Sequence, residues 1–147
     1  MIFLKLLSFI LAPWFSCTLN LTNSLPGIFY VICKGNFVKK GDLIAYYWKG
    51  GATYPTDSIF IKRVVGVAGD EVKRINHEFY INNVYIGTVK KTFIPKLLMV
   101  LKPSEAGVIP EGEYFVSTPH PNSLDSRYSI SGNVKQEQII GTAHKIF

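Results

Sequence analysis

Apolar and polar positions divide this chain into two parts of different periodicity. Residues 1–17 are almost continuously apolar, interrupted only by Lys5, Ser8, Pro13, Ser16 and the flanking thiol of Cys17. A membrane-spanning helix needs about 20 apolar residues, a length reached here by counting on to Leu21. Lys5 is placed to snorkel to the cytoplasmic interface and Trp14 suits the opposite one. The pattern therefore predicts a membrane anchor, one transmembrane helix over residues 1–20, with the remainder facing outward. A cleaved leader is the alternative, although its basic region is weak and no Ala-x-Ala-like site precedes Cys17.

From residue 27 the pattern turns strand-like. Gly27 to Cys33 is rich in Phe, Tyr, Ile and Val, which suit a pleated surface. Further strands are predicted over Leu43 to Trp48, Ile59 to Val67 and Glu113 to Ser117, with a closing strand from Glu137 to Phe147. Glu71 to Ile75 and Glu78 to Asn82 read as a hairpin, followed after Asn82-Asn83 by a short strand from Val84 to Ile86. Loops fall at 52–58 and 118–133. The stretch 88–107 places apolar Phe93 to Leu101 among Lys90, Lys91, Lys96 and Lys102, and is open between core packing and a membrane-dipping surface. Short strands with turn signals between them indicate an all-β, mainly antiparallel domain over residues 21–147.

Composition narrows the function classes. A chain of 147 residues with 48% apolar content is long enough to bury a core without staples. The net charge of +6 is compatible with an anionic membrane or a nucleic acid, but no run of basic residues exceeds two, so nucleic-acid binding is not expected. His77, His120 and His144 are far apart and lack ligand spacing, so neither a metal nor another cofactor is expected. Cys17 and Cys33 leave a disulfide open.

The candidate chemistry starts at Thr22-Asn23-Ser24-Leu25-Pro26-Gly27, which sets the Ser24 hydroxyl on a bend next to the apolar segment. Acyl transfer needs a nucleophile, a base and donors for the oxyanion. No histidine offers itself as the base, but a Ser-Lys dyad is a known variant. Lys62 lies inside the apolar strand Ile59-Phe60-Ile61 and Val64-Val65, where desolvation disfavours its charged form. Acting near neutral pH requires its pKa to fall by about three units, roughly 4 kcal/mol. The competing reading is that Lys62 snorkels out of its strand, with Arg63 doing the same on the other face.

Three stretches taken together resemble the signal peptidase I family, most closely its conjugative-transfer, TraF-type branch. They are Ser24-Leu25-Pro26-Gly27 after the apolar segment, the box from Lys62 to Asp70, and Ser123-Leu124-Asp125-Ser126-Arg127-Tyr128. The resemblance spans roughly the whole chain and implies a signal-peptidase-like catalytic β-fold acting as a serine endopeptidase. It implies that Ser24 attacks the scissile carbonyl and that Lys62 is the general base. The Ser24 N–H and the Thr22 hydroxyl would form the oxyanion hole. Ser123 would hold the Lys62 amine, and Asp125 and Arg127 would pair to fix their loop. An extended peptide would add as a strand beside Ile59–Lys62, with Leu25 and Ile61 lining pockets for small residues such as Ala. In the TraF-type branch the substrate is a pilin precursor, which implies other proteins of a conjugation apparatus as partners. The implied location is a bacterial inner membrane, with the catalytic domain facing the periplasm. One departure is that Ser129-Ile130-Ser131 intervene before Gly132, where the family usually reaches Gly within two residues of the Tyr. The alternatives are a general secretory signal peptidase and a non-catalytic, membrane-anchored β-module of a pilus or secretion apparatus. A LexA-type self-cleaving repressor would need a DNA-binding domain, for which the 23 residues before Ser24 leave no room.

Overall fold

The computed structural model describes residues 14–19, 25–27, 29–35, 37–90, 92–94, 99–120 and 122–146. Thirteen strands form three sheets among these residues. Counted along the chain, β1 is Phe15–Leu19, β2 Phe29–Lys34, β3 Leu43–Tyr47 and β4 Ile59–Gly66. They are followed by β5 at Glu71–Ile75, β6 at Glu78–Ile81, β7 at Val84–Thr88, β8 at Thr92–Ile94 and β9 at Met99–Leu101. Last come β10 at Gly107–Val108, β11 at Glu113–Ser117, β12 at Val134–Lys135 and β13 at Ile139–Lys145. The large sheet runs β1-β2-β13-β3-β4-β11-β12, the second β10-β5-β6-β7, and β8 pairs with β9. Every ladder is antiparallel, as the spacing of strands and turns predicts.

Turn chemistry sets several of these edges. Asn82 and Asn83 both adopt left-handed backbone, with φ of 47° and 67°, and Ile81 pairs directly with Val84 across them. Two left-handed residues in a two-residue loop match the right-handed twist of the flanking strands, and Asn tolerates that conformation better than most residues. Gly141 allows β13 to lie against β2, because a Cβ there would run into the backbone carbonyl of Cys33.

The core has three parts. Phe115 of the large sheet meets Phe79 of the small one, with ring centroids 6.0 Å apart, in a cluster completed by Val72, Ile81, Val89, Leu101, Ile109 and Tyr128. Ile44, Tyr46, Val64, Val116, Val134 and Ile139 form a second cluster. Leu25, Tyr30 and Ala143 form a third, with Leu43 and Ile61 packed against it.

The expected anchor meets a difference here. Phe15–Leu19, placed by sequence within the helix, pair with β2 from Phe15↔Cys33 to Leu19↔Phe29. Pro13 disfavours continuation of a helix into this segment, and an exposed flank of β2 gives the following residues a ladder. Residues 1–13 lie outside the described residues, and no helix among the described residues is long and apolar enough to cross a membrane. The same register puts Cys33 opposite Phe15 and Cys17 opposite Val31, so the cysteines are diagonal rather than facing. Diagonal neighbours sit about 7–8 Å apart, at or beyond the limit for a disulfide. Cys33 is a free thiol. Within the stretch 88–107, β8 and β9 form a hairpin and Leu101 is buried in the core. The closing strand starts at Ile139 after a 3-10 turn at Gln136–Gln138.

Candidate active site

β4 alternates so that Phe60, Lys62 and Val64 share one face while Ile59, Ile61 and Arg63 take the other. Lys62 pairs with Ile44 of the neighbouring strand, and only 5% of its surface is exposed. Its Nζ donates to Ser123 Oγ at 2.6 Å, the bond that the resemblance assigns to this pair. Nζ also stands 5.5 Å from the centroid of the Phe60 ring. Phe60 is itself wedged among aromatics, stacked on Trp48 at 5.0 Å and meeting Tyr46 and Tyr54 edge-on. In this dry pocket burial pushes the Lys62 pKa down from 10.5 to about 8; Asp125 pulls it up and Arg127 pushes it further down. Lys62 does not snorkel out of its strand. It is a lysine held near the edge of neutrality, able to give up a proton and take one back.

The segment carrying Ser123 is fixed by buried polar contacts. Ser123, Asp125, Ser126 and Arg127 are each at most 3% exposed. Arg127 grips Asp125 as a fork, with Nε donating to Oδ1 and Nη2 to Oδ2, both at 2.8 Å. Nη2 also reaches the carbonyls of Thr118 and His120, and Nη1 reaches that of Thr88. Gly87 leaves room for that reach, since a Cβ there would stand 2.6 Å from Arg127 Nη1. A buried charge pair is tolerable when its geometry is good and further hydrogen bonds surround it, as these carbonyls do here. Ser126 ties the segment to β11, donating its N–H to the Val116 carbonyl and accepting the Val116 N–H on Oγ. The extra residues before Gly132 are absorbed in a turn, with the N–H groups of Ser131 and Gly132 both donating to the Tyr128 carbonyl.

Asp125 also shapes the edge of β4. β11 follows β4 as far as Ser117↔Arg63, and there the Thr118 N–H turns away to donate to Asp125 Oδ2 at 3.2 Å. Val64 bonds toward the β3 side, through Asp42 and Gly41, so by alternation Ile59 and Ile61 direct their backbone groups to the opposite side. No strand among the described residues pairs with them there. Tyr46 Oη and Thr118 Oγ1 are buried with no partner among the described residues, and the Asp125 carboxylate joins burial in raising the Tyr46 pKa.

The structure thus brings Lys62, Ser123, Asp125 and Arg127 together on one side of β4. Ile61 takes the other, packed against the cluster of Leu25, Tyr30 and Ala143. Ser24 and Thr22 lie outside the described residues. Sequence reasoning missed the aromatic floor. Phe60 stands two residues before Lys62 in the same strand, so period-two alternation alone puts it on the lysine's face. The three histidines are exposed, and no group of His, Cys, Asp and Glu among the described residues could hold a metal.

A family model described as signal peptidase, peptidase S26, matches residues 1–147. The chain belongs to the signal peptidase family. Among curated relatives, Signal peptidase I U of Bacillus subtilis (strain 168) is 31% identical over 118 residues, covering 74% of this chain. This family member spans about 57% of the length of that relative. Among solved structures, a signal peptidase I from Enterococcus faecalis V583 is similar at 24% identity and a TM-score of 0.48, covering 72% of this chain and 96% of the other.

Proposed function

We propose that this chain is a membrane-anchored serine endopeptidase of signal-peptidase type, with Ser24 as nucleophile and Lys62 as general base. The observation that carries the proposal is the Lys62 amine, buried beside Ser123 with its pKa brought down to about 8. In this mechanism neutral Lys62 takes the Ser24 proton as Oγ attacks the scissile carbonyl. The oxyanion is received by the Ser24 N–H and the Thr22 hydroxyl. Lys62 then protonates the departing amine, leaving an ester on Ser24. A water, deprotonated by Lys62, breaks that ester and restores both groups. Chain connectivity supports the pairing from the other side: Leu25, the residue after Ser24, belongs to the cluster against which Ile61, the residue before Lys62, is packed.

The side of Ile59 and Ile61 on which no strand among the described residues pairs supports binding of substrate as an added strand, with main-chain bonds giving affinity. Leu25 and Ile61 would line its pockets. Trp14 and Phe37, 67% and 93% exposed, sit near one end of the large sheet, where the Lys34 N–H donates to the Trp14 carbonyl. Exposed aromatics beside Lys39 and Lys40 suit a membrane interface, and they support an anchored enzyme facing the periplasm from the inner membrane. The substrate we assign is a precursor protein, specifically a conjugative pilin precursor, on the strength of the three sequence boxes. Proteins of a conjugation apparatus would then be its partners.

A cleavage assay in membranes tests this. Wild type, Ser24→Ala, Lys62→Ala and Lys62→Arg are each co-expressed with a pilin precursor and with a general secretory precursor. We expect pilin processing by wild type alone, because Arg stays protonated and cannot act as base. An active Lys62→Arg enzyme would sink the dyad. Processing of both precursors would make this a general secretory peptidase, and no Ser24-dependent cleavage of either would leave a non-catalytic assembly module.

A further inference from the structure

Tyr30 lies in β2 between two partner strands, opposite Thr18 on one side and Lys145 on the other. It is 1% exposed, and its ring packs in the cluster with Leu25. Its hydroxyl reaches back four residues and donates to the Pro26 carbonyl at 2.6 Å. Phe would pack in this strand equally well, and a buried hydroxyl costs free energy unless it is bonded. The bond it makes is to the bend that follows Ser24. Tyr30 is therefore tied to two of the three described residues after Ser24, sharing a buried cluster with Leu25 and bonding the Pro26 carbonyl. The third, Gly27, holds φ at 104°, a left-handed conformation that a side chain would strain. The bend is thereby fastened to an interior strand.

We propose that Tyr30 is a positioning residue that fixes the bend at 25–27 and so sets the chain that leads back to Ser24. This rests on Ser24 being the nucleophile. No hydrogen bond or ring contact among the described residues joins Tyr30 to Lys62 or to the Ser123–Arg127 segment, so loss of its hydroxyl should misplace the nucleophile while leaving the base untouched.

The test is Tyr30→Phe, assayed on a fluorogenic peptide with Ala before the cleaved bond. We expect kcat to fall by about tenfold to a hundredfold, the scale on which a small misplacement acts. KM should stay within about twofold, and the alkaline rise of the pH–rate profile should keep its midpoint, since the surroundings of Lys62 are unchanged. Ile32→Val, a trimmed core residue in the same strand, provides the comparison at matched thermal midpoint. An unchanged kcat in Tyr30→Phe overturns the proposal. So does an equal fall in Ile32→Val, or a Tyr30→Phe chain that fails to fold, because the hydroxyl would then be a stability element. Cleavage that survives Ser24→Ala unchanged overturns the parent mechanism and this inference with it.

Discussion

Lys62 illustrates how one residue can serve chemistry at the expense of the fold. Its pKa is about 8 in the folded chain against an ordinary 10.5. Between those values the unfolded chain holds a proton that the folded chain has released, so the contribution of Lys62 to stability rises with pH through that window. At pH 7 the folded protein must keep the lysine charged in a dry pocket, at a cost of about 3 kcal/mol. Lys62→Met should therefore abolish cleavage yet raise the thermal midpoint at pH 7, an advantage that shrinks as the pH rises from about 8 to 10.5. Thermal melts of both proteins across pH 6 to about 10.5 check this, and a Met variant that is less stable at every pH would contradict it. The burial of this lysine was legible in the sequence, since it follows Ile59-Phe60-Ile61 and precedes Val64-Val65 in an apolar strand. The burial of Asp125 and Arg127 was not. They sit in a polar loop whose local pattern reads as solvent-facing, and only the fold brings Thr88, Thr118 and His120 around the guanidinium.

At the scale of elements, local pattern identified the strands whose side chains alternate or whose turns carry Gly and Asn. Leu43–Tyr47, Ile59–Gly66 and Glu113–Ser117 match the expected spans to within a residue or so. The failures were elements defined by a distant partner. β12 has two residues and exists through its pairing with β11; β1 looks like a membrane segment until β2 lies beside it. Backbone approach is as decisive at Gly141, where β13 crosses β2 with no room for a methyl group. Gly141→Ala should destabilise the fold by about 2–4 kcal/mol, the range of overpacking and steric strain in a core. Denaturant unfolding measures it, and a loss under about 0.5 kcal/mol, the usual surface value, would show that the strands can slide apart.

For the molecule as a whole, the large sheet is interrupted beside the candidate site. β11 leaves β4 at Arg63, where the Thr118 N–H bonds Asp125 instead, and no strand among the described residues lies on that side of Ile59 and Ile61. The ion pair that borders the lysine thus also opens the edge on which a peptide would lie. If substrate adds there, N-methylation of the peptide amide facing Ile61 should raise KM by about tenfold, the worth of one backbone hydrogen bond, with a smaller effect on kcat. Equal KM for the methylated and unmethylated peptides would move the binding strand elsewhere.

The aromatic floor has an optical consequence. The chain has two tryptophans, Trp14 at 67% exposure and Trp48 at 1%. An aqueous quencher such as iodide would silence the first and spare the second, so the remaining emission comes from an indole stacked on the ring that faces the lysine. Gain or loss of a proton at that amine changes the field across the indole. The protein carries a built-in fluorophore through which the titration of its candidate base can be followed without a label and without a substrate.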